Sequence, residues 1–165
     1  MKSRNPEFVI YTGPMFGSKT SKLLSYIDRV SYQGKNVQAF KPQMDDRYSQ
    51  GFICTHSGLK IPAININSGC DLIEFVSEND DFIDVIAVDE AFMIDDIAQA
   101  LLQLYALGKT IVVSSLQLSA SGKPFSEIKE ILPWATKIEV CPAVCPITGE
   151  DAFFTKKKTS SGTEI

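Results

Sequence analysis

Phe8-Val9-Ile10-Tyr11-Thr12-Gly13-Pro14-Met15-Phe16-Gly17-Ser18-Lys19-Thr20 runs from a short apolar segment into a glycine-bearing loop that ends in Lys-Thr. Beyond it, Leu23, Leu24, Ile27 and Val30 recur at helical spacing, and Gly34 offers a C-cap. Strand, tight loop and helix in this order build a phosphate cradle. Backbone N–H groups and the helix N-terminus face the anion, the lysine reaches the β- and γ-phosphates, and the hydroxyl that follows serves Mg2+. The usual spacing is G-x-x-x-x-G-K-[ST]. Gly13, Lys19 and Thr20 keep their places in it, whereas Ser18 stands at the second glycine position and Gly17 comes one residue early. The competing reading is a glycine turn with an incidental lysine, and the flanking strand and helix weigh against it. The swap shifts the flexible point of the loop to Gly17 and puts a side chain where backbone should approach the phosphates. ATP binding weaker than with glycine at position 18 is the expectation. Gly13, Pro14, Met15, Phe16, Gly17, Ser18, Lys19 and Thr20 thus form the candidate ATP site.

Working downstream, Asn36 to Phe40 reads as a strand ended by Lys41-Pro42, and Ile83 to Val88 as a strand that ends in Asp89-Glu90. Ile94, Ile97, Ala98, Leu101, Leu102 and Tyr105 share one face of a helix over 94–107, stopped by Gly108. Thr110 to Ser115 is a β-branched strand of the kind buried in parallel sheets. The alternation predicts a doubly wound α/β fold, a P-loop (RecA-like) parallel sheet flanked by helices. After Lys137 to Val140 the pattern changes to Pro142, Pro146, Gly149 and the basic run Lys156-Lys157-Lys158. Residues 1–140 are therefore expected to form the nucleotide-binding domain, and 141–165 a small irregular C-terminal sub-domain.

Asp89-Glu90 has the form of a Walker B strand end. Asp89 at the carboxyl edge of the sheet can orient Mg2+ through its water shell, as Thr20 can directly, and Glu90 can take a proton from an attacking hydroxyl. The alternative is that both are solvated residues favoured at the start of the next helix. With a phosphate loop upstream, the functional reading is preferred.

Composition sets outer bounds. In 165 residues, 44% are apolar and 22% charged, which suits one soluble globular domain. A net charge of −4 gives no footprint for nucleic acid or an anionic membrane, so neither is expected as a partner. The polar N-terminus is neither a secretory signal nor a membrane span, and the four cysteines (54, 70, 141 and 145) are expected as reduced thiols of a cytoplasmic protein.

Several motifs together resemble the type II thymidine kinases: Gly13-Pro14-Met15-Phe16, Asp45-Asp46-Arg47-Tyr48-Ser49, Thr55-His56-Ser57-Gly58, Val88-Asp89-Glu90-Ala91, Gly122-Lys123-Pro124-Phe125 and Phe154-Thr155-Lys156. They occur in the family's order across residues 8–158, and their divergence is what a bacteriophage member would show. The resemblance implies transfer of the γ-phosphoryl group of ATP to the 5′-hydroxyl of thymidine or a related deoxynucleoside. Glu90 matches the catalytic base, and Lys19 and Thr20 match the phosphate and Mg2+ contacts. Asp45 and Arg47 match positions near the phosphates and the sugar 5′ end, and Phe125 and Thr155 match residues around the thymine. A homo-oligomer, commonly a tetramer, is also implied.

Departures from the family bear on activity. The glutamine expected after Ala91 is missing, and Ala120 stands where the family places an aromatic near the base. Of the expected zinc ligands only Cys145 matches, Thr148 replaces its partner, and Cys141 offers merely a C-x-x-x-C spacing. Two thiolates do not close a tetrahedral site, so zinc is not expected. Ile165 comes where the family continues into a hairpin and a lid over the nucleoside, which predicts an incomplete sub-domain and poor nucleoside affinity. Two other readings follow: a catalytically impaired relative kept as a nucleotide-binding module, or another P-loop nucleoside or nucleotide kinase.

Overall fold

Strand β1 (Phe8–Thr12) is buried at every residue and lies inside the sheet, which explains its unbroken apolar character. The computed structural model describes residues 5–44 and 51–157. From β1 the chain passes through the loop into α1 (Lys19–Tyr32), then β2 (Val37–Pro42), a small antiparallel hairpin of β3 (Phe52–Cys54) and β4 (Lys60–Pro62), and β5 (Ile64–Ile66). Helix α2 (Gly69–Glu78), β6 (Val85–Val88), α3 (Ile97–Ala106), β7 (Thr110–Ser115), α4 (Ser126–Ile131) and β8 (Lys137–Val140) follow. A last hairpin joins β9 (Ala143–Val144) to β10 (Asp151–Ala152). Six strands form one parallel sheet in the order β5-β2-β6-β7-β1-β8.

Alternation along each strand divides the core between the two faces of this sheet. Phe8, Ile10, Phe40, Val88, Ile111 and Val113 pack with residues of α2, α3 and α4. Val9, Tyr11, Ala39, Ala87 and Val112 pack on the opposite face with Leu23, Leu24, Ile27 and Val30 of α1 and Ile53 of the β3–β4 hairpin. A parallel sheet covered by helices on both faces is the α/β arrangement expected from the sequence.

Element boundaries depart from the sequence reading in informative places. Strand β2 runs on through Lys41 and Pro42, because both pair with β5. The helix expected from Ile94 starts at Ile97: Ala91–Met93 form a 3-10 turn, and Asp96 takes a left-handed φ of 55° that breaks the run. Helix α2 has a capping box, in which Ser68 and Asp71 each satisfy the other's backbone N–H. Strand β8 is one of the sheet's two edge strands, and the Cys141 N–H next to it donates to the Thr12 carbonyl at 2.7 Å.

Candidate active site

Because the sheet is parallel, the carboxyl ends of β1, β2, β6 and β7 open at one edge, where ligands bind in such folds. The loop after β1 makes its sharpest turns at Gly13 (φ 140°) and Phe16 (φ 62°). The left-handed residue near the lysine is thus a phenylalanine, 80% exposed, and not Gly17. Gly17 is glycine for a different reason: a Cβ there would stand 2.5 Å from the Cys141 carbonyl oxygen, and one at Gly13 would come closer still. The loop is seated directly on the backbone of Cys141.

Ser18 has φ −82°, a conformation open to any residue, and its side chain is exposed. The backbone at position 18 therefore does not call for glycine, and the expected weakening of ATP binding turns on the side chain alone. Ser18→Gly should bind ATP more tightly than the wild type by calorimetry, and an unchanged dissociation constant would remove the side chain as an obstacle to the phosphates.

Lys19 is only 5% exposed, and its ammonium turns back to donate to the Pro14 carbonyl. Thr20, at the start of α1, donates to Oδ1 of Asp89 at 3.1 Å, which joins the loop to the end of β6. The Ser114 hydroxyl of β7 donates to the same oxygen. Glu90 follows in a left-handed conformation (φ 52°), a backbone state of about 1–3 kcal/mol for a non-glycine residue that persists where the surroundings enforce it. The enforcement is visible: the Asp89 N–H donates to Phe40 at 3.0 Å, Met93 N–H to Glu90 at 3.1 Å, and Phe92 N–H to the Ser115 hydroxyl at 3.1 Å.

Beside the loop lies a cavity of about 280 Å³ lined by Gly13, Pro14, Gln117, Ala120, Phe154 and Thr155, among others. Gln117 is fixed at its wall by Thr12, whose hydroxyl donates to Oε1 at 3.3 Å. Thr155 accepts the Met15 N–H at 3.0 Å, so it braces the phosphate loop as well as lining the cavity. Thr155→Val should therefore weaken ATP roughly 3- to 10-fold by calorimetry, the worth of one such hydrogen bond. Phe125 does not line this cavity. It stands before α4 with its ring 4.8 Å from that of Phe92, just past Glu90. Asp45 and Arg47 lie outside the described residues.

Residues 7–165 match the family model described as thymidine kinase. The chain belongs to the thymidine kinase family. It is also 34% identical over 150 residues to a thymidine kinase of Pyrobaculum aerophilum, an alignment that covers 90% of this chain and 80% of that protein. Membership makes this family member an ATP-dependent deoxynucleoside kinase acting on thymidine. Among the described residues no helix is long and apolar enough to cross a membrane.

The two zinc candidates are not equivalent. Cys141 is 2% exposed, packs with the α1-side core, and burial pushes its thiol pKa up, which disfavours the thiolate a metal needs. Cys145 belongs to the β9–β10 hairpin, and the Thr148 hydroxyl, then the backbone N–H groups of Thr148 and Ile147, hold its pKa below the usual thiol range. Among the described residues, no three His, Cys, Asp or Glu side chains gather as a metal site. Among the described residues, Cys141 and Cys145 do not by themselves complete a tetrahedral zinc site.

Other contacts were not foreseen from the sequence: the Cys141 carbonyl under the loop, Ser114 on Asp89, and Thr155 on Met15. Ser114 carries a signal, a hydroxyl near the carboxyl end of an otherwise apolar strand. Thr155 also acts through its hydroxyl, but its partner is a backbone N–H distant in sequence, and the Cys141 contact is made by a backbone carbonyl with no residue-type signature.

Proposed function

We propose that the chain transfers the γ-phosphoryl group of ATP to the 5′-hydroxyl of thymidine, giving dTMP for nucleotide salvage. One observation carries the residue assignment: the hydrogen bond from Thr20 to Asp89, which brings the end of the phosphate loop to the acidic strand end with Glu90 next in the chain. A hydroxyl and a carboxylate are hard oxygen donors that suit Mg2+, so Thr20 would hold the ion and Asp89 its water shell. When bound, the ion would supply neutralisation of the triphosphate's charge.

The remaining roles belong to side chains of this chain. Lys19 exchanges the Pro14 carbonyl for phosphate oxygens, and backbone N–H groups of residues 13–20 receive the rest of the triphosphate. Glu90 accepts the proton of the 5′-hydroxyl as the new O–P bond forms and the bond to the ADP oxygen breaks. Asp45 and Arg47 serve the phosphates and sugar end, and Thr155 and Phe125 the nucleoside side. Ala120 leaves the base with less stacking surface than an aromatic there would give, a difference of about 0.5–1.5 kcal/mol.

The reading also includes action in the cytoplasm, a homo-oligomer (a tetramer by resemblance), and no nucleic-acid or membrane partner. It includes no structural zinc in a single chain, and stoichiometric zinc by elemental analysis would overturn that part. The family match does not favour an impaired binding module or a different P-loop kinase. Labelled ATP tested against thymidine, deoxycytidine and deoxyuridine decides among these. Transfer to thymidine supports the proposal, whereas nucleotide binding without transfer, or hydrolysis with no acceptor, would overturn it.

A further inference from the structure

Besides Lys19 of the phosphate loop, two lysines are buried among the described residues, and they are treated differently. Lys109 is 9% exposed and well satisfied: its ammonium donates to the carbonyls of Asp80 and Ile83 at 2.8 and 2.6 Å and pairs with the Asp80 carboxylate at 2.8 Å. Lys41 is deeper, at 2%, yet among the described residues its Nζ makes one hydrogen bond, to the Phe52 carbonyl at 3.1 Å. No described carboxylate forms an ion pair with it. An ammonium has three donors and is almost never fully buried without a counter-charge. Among the described residues only the Phe52 carbonyl offsets its desolvation, which leaves room for an anion.

Its place in the sheet identifies the anion. Phe40 of β2 and Val88 of β6 are partners in the parallel register, and both face the α2–α3 side of the core. One residue further along both strands stand Lys41 and Asp89, which alternation sends to the opposite face. That is the side of α1, where Asp89 takes its hydrogen bond from Thr20. Lys41 therefore lies on the same face and at the same sheet edge as the phosphate loop. We propose that Lys41 is a second fixed cation of the phosphate site, its charge directed at the triphosphate of bound ATP. This rests on the reading of residues 13–20 as the ATP site.

The test uses the full chain with Lys41→Met, measuring ATP and thymidine binding by calorimetry and the Tm of the ligand-free protein. Lys41→Met should weaken ATP roughly 10- to 100-fold, as loss of a charge-assisted contact does, and leave thymidine within about twofold. Its ligand-free Tm should be unchanged or higher, because an apolar chain of similar length replaces a buried charge with no counter-charge among the described residues. Lys41→Arg should keep more ATP affinity than Lys41→Gln. Unchanged ATP affinity in Lys41→Met would overturn the proposal, as would equal weakening of both ligands with a lower Tm. Failure of both Lys41→Met and Lys41→Gln to fold would make Lys41 a structural residue and also overturn it. Failure of the wild-type chain to bind ATP would instead remove the site reading beneath it.

Discussion

Glu90→Gln should lower kcat for transfer to thymidine by about two to four orders of magnitude, the usual contribution of a positioned general base. Glutamine keeps the size and most hydrogen bonding of glutamate but cannot accept the hydroxyl proton. ATP and thymidine should bind the variant nearly as well as the wild type, because Lys19, Thr20 and Asp89 are untouched. The left-handed backbone at Glu90 should also be retained, since it is held by contacts of its neighbours: Asp89 N–H to Phe40, and Phe92 N–H to Ser115. Stability should change by less than about 0.5 kcal/mol, as for a substitution that leaves packing and backbone alone. Single-turnover transfer from labelled ATP, with both dissociation constants measured in parallel, separates chemistry from binding. A kcat within tenfold of wild type would remove Glu90 from the base role.

How much of this was legible in the sequence depends on distance along the chain. β1, α1, β7 and most of β6 announce themselves because strands buried on both faces read as continuous apolar runs, and α1 shows a clean helical stripe. The three-residue strands β3, β4 and β5 are too short for a period to emerge. Helix α2 was readable in principle from Ser68 and Asp71 ahead of Leu72 and Val76, a capping-box spacing before an apolar stripe. At the site, residue types identified Lys19, Thr20, Asp89 and Glu90, since their chemistry is local to a motif. What supports them is not local. Thr155 meets Met15 across 140 positions of sequence, and Cys141 meets Gly13 and Gly17 through a backbone oxygen. No residue type encodes a backbone oxygen under the loop, so the reason for glycine at 17 was misread as flexibility.

That misreading leads to the largest expected loss of stability, at Gly13. An alanine there meets two obstacles at once. Its Cβ would run into the carbonyl of Cys141, and φ 140° is a conformation that L side chains rarely adopt. The carbonyl cannot easily retreat, because Cys141 N–H is bonded to Thr12 at 2.7 Å and β8 is paired with β1 up to Val140. Overpacking and backbone strain of about 1–3 kcal/mol each give an expected loss of roughly 2–6 kcal/mol for Gly13→Ala. Gly17→Ala meets only the first obstacle, because Gly17 does not have a positive φ, and should lose about 1–3 kcal/mol. Urea denaturation of the two variants measures the order directly. Both should also lose more affinity for ATP than for thymidine, since the displaced backbone carries the N–H groups that receive the phosphates. Equal stability of the two variants, or a loss below about 1 kcal/mol at Gly13, would mean that Cys141 does not support the loop. The expected order instead explains the glycine shift: a glycine is required at 17 by the carbonyl beneath it, whereas the backbone at position 18, with φ −82°, does not need one.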